Sequence, residues 1–204
     1  MKLDPFYLVL DSADWFERLL PCGVKLVQLR IKDRPVAQLR REILRAREFC
    51  AAHGAQFVVN DHWRLAIELG CDFVHLGQSD LENADIAAIR AAGLKIGVST
   101  ENERELDRAL ACGADYIALQ PVFATSSKTI DCPPQGLMTL SAWKKRMGNL
   151  PLIAIGGVSL ERAKAVYQAG ADCAAVISDV TGDARPEQRA RAWVEFTRRL
   201  MGQG

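Results

Sequence analysis

A single (β/α)8 barrel, the TIM-barrel fold, is predicted for residues 1–204 from three observations on the sequence. Eight short β-rich runs alternate with eight amphipathic segments, at about 25 residues per unit. Strict alternation implies a parallel sheet, because parallel neighbours need crossover helices, and eight units favour closure. The Gly-rich loop that opens a dinucleotide-binding open sheet is missing. After the first run stands Leu10-Asp11-Ser12-Ala13 instead. A doubly wound open sheet is the structural alternative.

The first strand is 6–10, carrying Tyr-Leu-Val-Leu, and an amphipathic segment follows at 12–21. Strand 25–30 precedes a helix over 36–53, in which Leu39, Ile43, Ala46, Phe49 and Cys50 face one way and the arginines the other. Strand 56–60 (Gln-Phe-Val-Val-Asn) leads to a helix at 63–69, and strand 73–76 (Phe-Val-His-Leu) to one at 82–92. Strand 95–98 is followed by helix 102–112. Strand 116–119 (Tyr-Ile-Ala-Leu) runs into a long segment and then helix 139–147. Strands 152–155 and 174–177 precede helices 159–169 and 186–201. Three junctions repeat one unit of helix, Gly-x-Asp and strand: Gly70-Cys71-Asp72, Gly113-Ala114-Asp115 and Gly170-Ala171-Asp172. Glycine takes the left-handed conformation at a helix end without a Cβ penalty.

The formal net charge is +1 and 49% of the residues are apolar. That balance gives no reason to expect nucleic acid or an anionic membrane as partner. The first apolar run stops at Asp11, too short for a signal segment, and no run is long enough to span a bilayer. A cytoplasmic protein is expected, of undetermined oligomeric state. The six cysteines form no CxxC pair and no zinc spacing, so buried reduced thiols are expected.

In such barrels the active site lies at the C-terminal ends of the strands. Gln28, Arg30 and Lys32 alternate with Val27, Leu29 and Ile31, so one face carries an amide and two cations and the other is apolar. A polar stripe where a buried strand ends points to a mouth for an anion such as phosphate or diphosphate. Asp61 and Asp80 end neighbouring strands and can converge on Mg²⁺, which is commonly held by one or two carboxylates with waters and phosphate oxygens. The competing reading is that each caps the helix that follows it.

Gly156-Gly157 after the seventh strand, with Ser178 after the eighth, occupies the usual phosphate position of this fold; an ordinary tight turn is the alternative. Thr125, Ser126, Ser127 and Lys128 place three hydroxyls and a cation in the long loop reaching Pro133-Pro134. Lys25 and Lys95 begin strands and belong to the opposite, stabilising face. His53, His62 and His75 show no metal-ligand spacing, and structural roles are expected for all three.

Taken in order, these pieces resemble thiamine-phosphate synthase over nearly the whole chain. The resemblance rests on Gln28-Leu29-Arg30-Ile31-Lys32, Val59-Asn60-Asp61, His75-Leu76-Gly77-Gln78-Ser79-Asp80, Gly97-Val98-Ser99-Thr100, Pro121-Val122-Phe123 with Thr125 and Ser127-Lys128, Gln135-Gly136, Ile155-Gly156-Gly157, and Val176-Ile177-Ser178. It implies a transferase that joins hydroxymethylpyrimidine diphosphate to a thiazole phosphate, releasing diphosphate. Gln28, Arg30, Lys32, Asn60, Ser99 and Lys128 would then hold the pyrimidine diphosphate, with Arg30, Lys32 and Lys128 catalytic. Asp61 and Asp80 would hold Mg²⁺, and Thr125, Ser127, Gly157, Ile177 and Ser178 would surround the thiazole phosphate.

Gln120, Ala124, Ser127 and Asp179 depart from the family pattern. Asp179 would either repel the thiazole phosphate or cap the last helix. The rival readings are a thiazole tautomerase-like isomerase and a non-catalytic protein that binds thiamine precursors. The first would want a base in 120–136, which contains no histidine.

Overall fold

The computed structural model describes residues 2–125 and 132–202. Eight strands close into a parallel barrel in chain order: β1 (Phe6–Leu10), β2 (Leu26–Leu29), β3 (Gln56–Asn60), β4 (Phe73–Leu76), β5 (Lys95–Thr100), β6 (Tyr116–Leu119), β7 (Leu152–Ile155) and β8 (Cys173–Val176). β1 pairs with β8 through Phe6 and Ala174, which removes both sheet edges. The open doubly wound alternative is thereby excluded.

Between the strands lie α1 (Ala13–Leu19), α2 (Val36–His53), α3 (Trp63–Glu68), α4 (Gln78–Asn83), α5 (Ile86–Ala91), α6 (Glu103–Ala111), α7 (Gly136–Met147), α8 (Leu160–Gln168), α9 (Ser178–Thr181) and α10 (Pro186–Met201). The expected faces are the buried ones: α2 buries Leu39, Ile43, Ala46 and Cys50. Some boundaries differ from the periodicity. The segment expected as one helix at 82–92 is two, because Ala84 is extended (ψ 137°) and Asp85 starts α5 by accepting the Ala88 N–H at 2.9 Å. The segment expected at 12–21 is helical only to Leu19, after which Pro21 lies in a single 3-10 turn. Helix α7 starts at Gly136 rather than at residue 139, and α9 was not expected at all.

Two apolar layers result from the strand alternation. Leu8, Val27, Val59, Val74, Ile96, Ile117, Ala154 and Val176 point outward and pack under the helices. Tyr7, Leu26, Val58, Phe73, Tyr116, Ile153, Cys173 and Ala175 point inward and fill the barrel. The interior is thus filled by side chains, and its C-terminal end is the face on which this fold places its sites.

The Gly-x-Asp repeat ties the closed end together. The Asp115 carboxylate accepts the Ile96 N–H at 2.8 Å, and Asp172 accepts the Leu152 N–H at 2.8 Å. Lys95 pairs with Asp115 at this end, and Lys25 donates to the last carbonyl of α2, so both lysines lie at the closed end as expected. All six cysteines are free; Cys112 and Cys132 are half-buried rather than buried. Among the described residues no helix is long and apolar enough to cross a membrane.

Candidate active site

A cavity of about 340 Å³ opens at the C-terminal ends of the strands. Gln28, Arg30, Lys32, Asn60, Asp61, Asp80, Ser99, Thr125, Gly157, Ile177 and Ser178 all line it. These residues come from β2, β3, β5 and the segments after β2, β3, β4, β6, β7 and β8, so barrel closure gathers them. Ser127 and Lys128, also expected here, lie outside the described residues.

The stripe on β2 divides by depth. Gln28 is buried inside the barrel, Arg30 is half-buried past the strand end, and Lys32 is exposed at the rim. The Arg30 N–H donates to the Leu10 carbonyl at 2.7 Å, which extends the β1–β2 ladder and holds the guanidinium at the mouth.

Asp61 has φ +61°, a left-handed conformation that costs a non-glycine residue about 1–2 kcal/mol. Its N–H donates to His75 O at 2.8 Å, continuing the β3–β4 ladder, and its carboxylate accepts from Asn60 Nδ2 at 2.5 Å. The sharp turn brings that carboxylate against Asp80. Burial first, and the Asp80 charge second, push the Asp61 carboxyl above its ordinary range, with Lys32 opposing both. Neither aspartate is a helix cap: α3 is preceded by His62 and α4 by Gly77, and Asp80 lies inside the first turn of α4. The Asp80 carboxylate packs over Gly77, where an added Cβ would sit 3.1 Å from Oδ2.

The two glycines after β7 have φ +94° and +61°. A Cβ on Gly156 would lie 2.7 Å from Pro121 Cα, and one on Gly157 would lie 2.3 Å from the Ala124 carbonyl. Passage of the β6 loop over this turn therefore demands glycine even before any ligand is considered. The same crossing is fixed by Val122 N–H to Ile155 O and Phe123 N–H to Gly156 O, both 2.9 Å.

Asp179 does not cap the last helix. Its carboxylate turns away to α10, accepting from Arg189 Nη2 at 2.7 Å, Arg189 Nε at 3.0 Å and Trp193 Nε1 at 2.6 Å. Arg189 neutralises it, and α10 starts independently after Arg185.

His75, expected to be structural, is buried and held by side chains of the barrel. It lines the cavity, with Nε2 at 2.8 Å from Ser99 Oγ and Nδ1 at 3.0 Å from Tyr116 Oη. Tyr7, Glu101 and Glu105 also line it and were not expected there, while Gln78 and Gln120, expected just past the fourth and sixth strands, line it too. Gln78 donates to the Ser99 carbonyl at 2.7 Å, and its buried Oε1 has no partner among the described residues. Gln120 donates to Glu101 at 3.1 Å. A signal existed for two of them. Tyr7 shares the phase of Val9, and His75 shares that of Phe73, and those phases point into the barrel. His53 and His62 keep structural places, at the end of α2 and before α3.

A closed (β/α)8 barrel whose open mouth gathers cations, paired carboxylates and a glycine turn has the form of a barrel enzyme with a charged site. The family model described as thiamine monophosphate synthase matches residues 6–180. Thiamine-phosphate synthase of Rhizobium etli is 57% identical over 197 residues, covering 97% of this chain and 97% of the relative. That of Cronobacter sakazakii is 47% identical, covering 96% and 90%. The solved thiamine phosphate pyrophosphorylase from Pyrococcus furiosus superposes with a TM-score of 0.86 at 26% identity, over 97% of this chain and 96% of that one. The chain belongs to the thiamine-phosphate synthase family and is a transferase.

Proposed function

We propose that this cavity joins hydroxymethylpyrimidine diphosphate to a thiazole phosphate, forming thiamine phosphate and releasing diphosphate. One observation carries the reading: Asp61 and Asp80 are forced together at the mouth, with Lys32 beside them and Arg30 on the next strand end. Two facing carboxylates in a partly buried site call for a cation. Among the described residues no group of three or more His, Cys, Asp or Glu side chains is set to hold a metal. A pair of carboxylates that leaves the remaining positions to water and phosphate oxygens suits Mg²⁺. When bound, Mg²⁺ would neutralise charge on the diphosphate.

The other roles fall to the chain itself. Arg30 and Lys32, with Lys128, would stabilise the negative charge that grows on the departing diphosphate. Gln28, Asn60 and Ser99 would hold the pyrimidine deeper in the barrel, where water is excluded. Departure then leaves a pyrimidine-stabilised carbocation, and the thiazole nitrogen attacks it. Thr125, Ser127, Gly157, Ile177 and Ser178 would grip the thiazole phosphate as an orienting handle. No enzymic nucleophile is needed for this route. Free thiols throughout fit a reducing, cytoplasmic setting.

Incubating the purified protein with both precursors, with and without Mg²⁺, tests the reading. Thiamine phosphate formed only with the metal is expected. Tight precursor binding without product at any metal concentration would replace the transferase reading by a precursor-binding one.

A further inference from the structure

Three consecutive carbonyls at the end of β7 are each held by a group that does not line the cavity. Ile155 O accepts the Val122 N–H and Gly156 O accepts the Phe123 N–H, both at 2.9 Å. Gly157 O accepts from Arg162 Nη1 at 2.6 Å. Arg162 stands in the first turn of α8 and is exposed beside the cavity, not within it. Its guanidinium also lies 4.7 Å from the centre of the Phe123 ring, in the segment after β6.

A trans peptide is planar, so its carbonyl and the N–H of the next residue point in opposite directions. Carbonyls drawn outward therefore turn the N–H groups of Gly156, Gly157 and Val158 inward, and all three residues line the cavity. Among the described residues none of these N–H groups donates to the protein. Val158 is 5% exposed, and a buried backbone donor left without an acceptor is costly. Successive N–H groups turned to one side form a concavity for an anion. Backbone bonds to the β6 segment set the first two peptides. A side chain, Arg162, sets the third.

We propose that Arg162 is a positioning residue for the thiazole phosphate: it holds the Gly157–Val158 peptide with the Val158 N–H facing the cavity, and it fastens that peptide to Phe123. The inference rests on the thiazole phosphate reading above. Arg162 touches no substrate and acts through the backbone. A peptide that follows a glycine turns over easily, and a turned peptide would aim its carbonyl oxygen at the phosphate. The turn cannot be stiffened by a larger residue, because a Cβ on Gly157 would lie 2.3 Å from the Ala124 carbonyl. Arg162 supplies the stiffness from outside. Arginine suits this place because its planar fork can donate in its plane while its face lies on a ring. Lysine is a point charge and cannot do both.

The test is equilibrium binding of the thiazole phosphate and of the same thiazole as its free alcohol, in buffer containing Mg²⁺ and inorganic diphosphate. The quantity read is the ratio of the two affinities, which a general weakening of the fold does not move. The unmodified protein is expected to prefer the phosphate on the order of 100-fold. In Arg162→Ala the ratio should fall about 10-fold, the size of one hydrogen bond to a charged group. Arg162→Lys keeps the charge and should still lose about 3-fold. An unchanged ratio in Arg162→Ala overturns the proposal, and so does a full ratio in Arg162→Lys, which would mean that charge alone acts. Equal binding of phosphate and alcohol by the unmodified protein, or binding of neither, overturns it together with the thiazole phosphate reading. If Arg162→Ala does not fold, Arg162→Met keeps the stem against Phe123, removes the donor and reads the same ratio. The expected falls in a protein that makes no thiamine phosphate would sink the transferase reading and leave this one standing.

Discussion

The Tyr116 ring occupies the space that a side chain on Gly97 would fill. A Cβ built on Gly97 would lie 1.9 Å from Tyr116 Cζ and 2.3 Å from its hydroxyl. The two residues are direct partners in the β5–β6 ladder, so neither can withdraw without breaking the register. Glycine in the middle of a barrel strand, otherwise a weak choice, makes room for the one phenol that bridges Tyr7 and His75.

Gly97→Ala is therefore expected to destabilise the fold by about 3 kcal/mol through overpacking. Urea unfolding of the purified variant measures it. A midpoint equal to that of the unmodified protein would show that Tyr116 can move aside freely.

Asp179 is the next case. The salt bridge to Arg189 is nearly enclosed, with 10% and 19% of the two side chains exposed. Trp193, which shares the carboxylate, stacks on Phe6 with ring centroids 5.2 Å apart, so the cluster fastens α10 to β1. Asp179→Ala should cost about 2 kcal/mol, less than a fully orphaned ion because Arg189 keeps Glu161. The thiazole phosphate KM should stay the same. A lower KM with unchanged stability would support the repulsion picture.

The carboxylate pair makes a pH-dependent statement. The Asp61 carboxyl is raised from its ordinary 3.8, so in that window the folded chain holds a proton that the unfolded chain has released. Its contribution to stability is full below the unfolded value and is lost as pH rises through the folded one. Metal-free Asp61→Asn should accordingly be more stable than the unmodified protein at neutral pH, and the gap should narrow in mildly acidic buffer. Asparagine also tolerates the left-handed backbone, but that gain does not vary with pH. A gap of equal size at both pH values would mean that backbone strain, and not charge, is what the variant relieves. Added Mg²⁺ should raise the Tm of the unmodified protein and leave that of Asp61→Asn unmoved.

The legible part of the site was its rim. Arg30, Lys32, Asp61, Asp80, Ser99 and Ser178 stand at strand ends, and a barrel puts every strand end at one mouth. Its floor was harder to see. Tyr7, His75 and Tyr116 sit inside apolar strands, where single polar residues read as core, and their alternation does not say which strands face each other across the barrel. Asp179 misled for the same reason: sequence neighbours placed it beside Ser178, while its partners Arg189 and Trp193 come from a helix one turn and more further on.

By itself the sequence determined the alternation of strands and helices, the apolar face of each helix and the set of polar residues at the strand ends. These follow from local geometry, because the side-chain period of a strand or helix is fixed by the backbone. Only the tertiary structure decided that β1 meets β8, that Asp61 turns onto Asp80, and that Gln28, Tyr7, Tyr116, His75 and Ser99 share one line of hydrogen bonds. Those relations depend on closure, which joins residues as distant in the chain as Tyr7 and Tyr116, 109 positions apart, and has no signature in any local window.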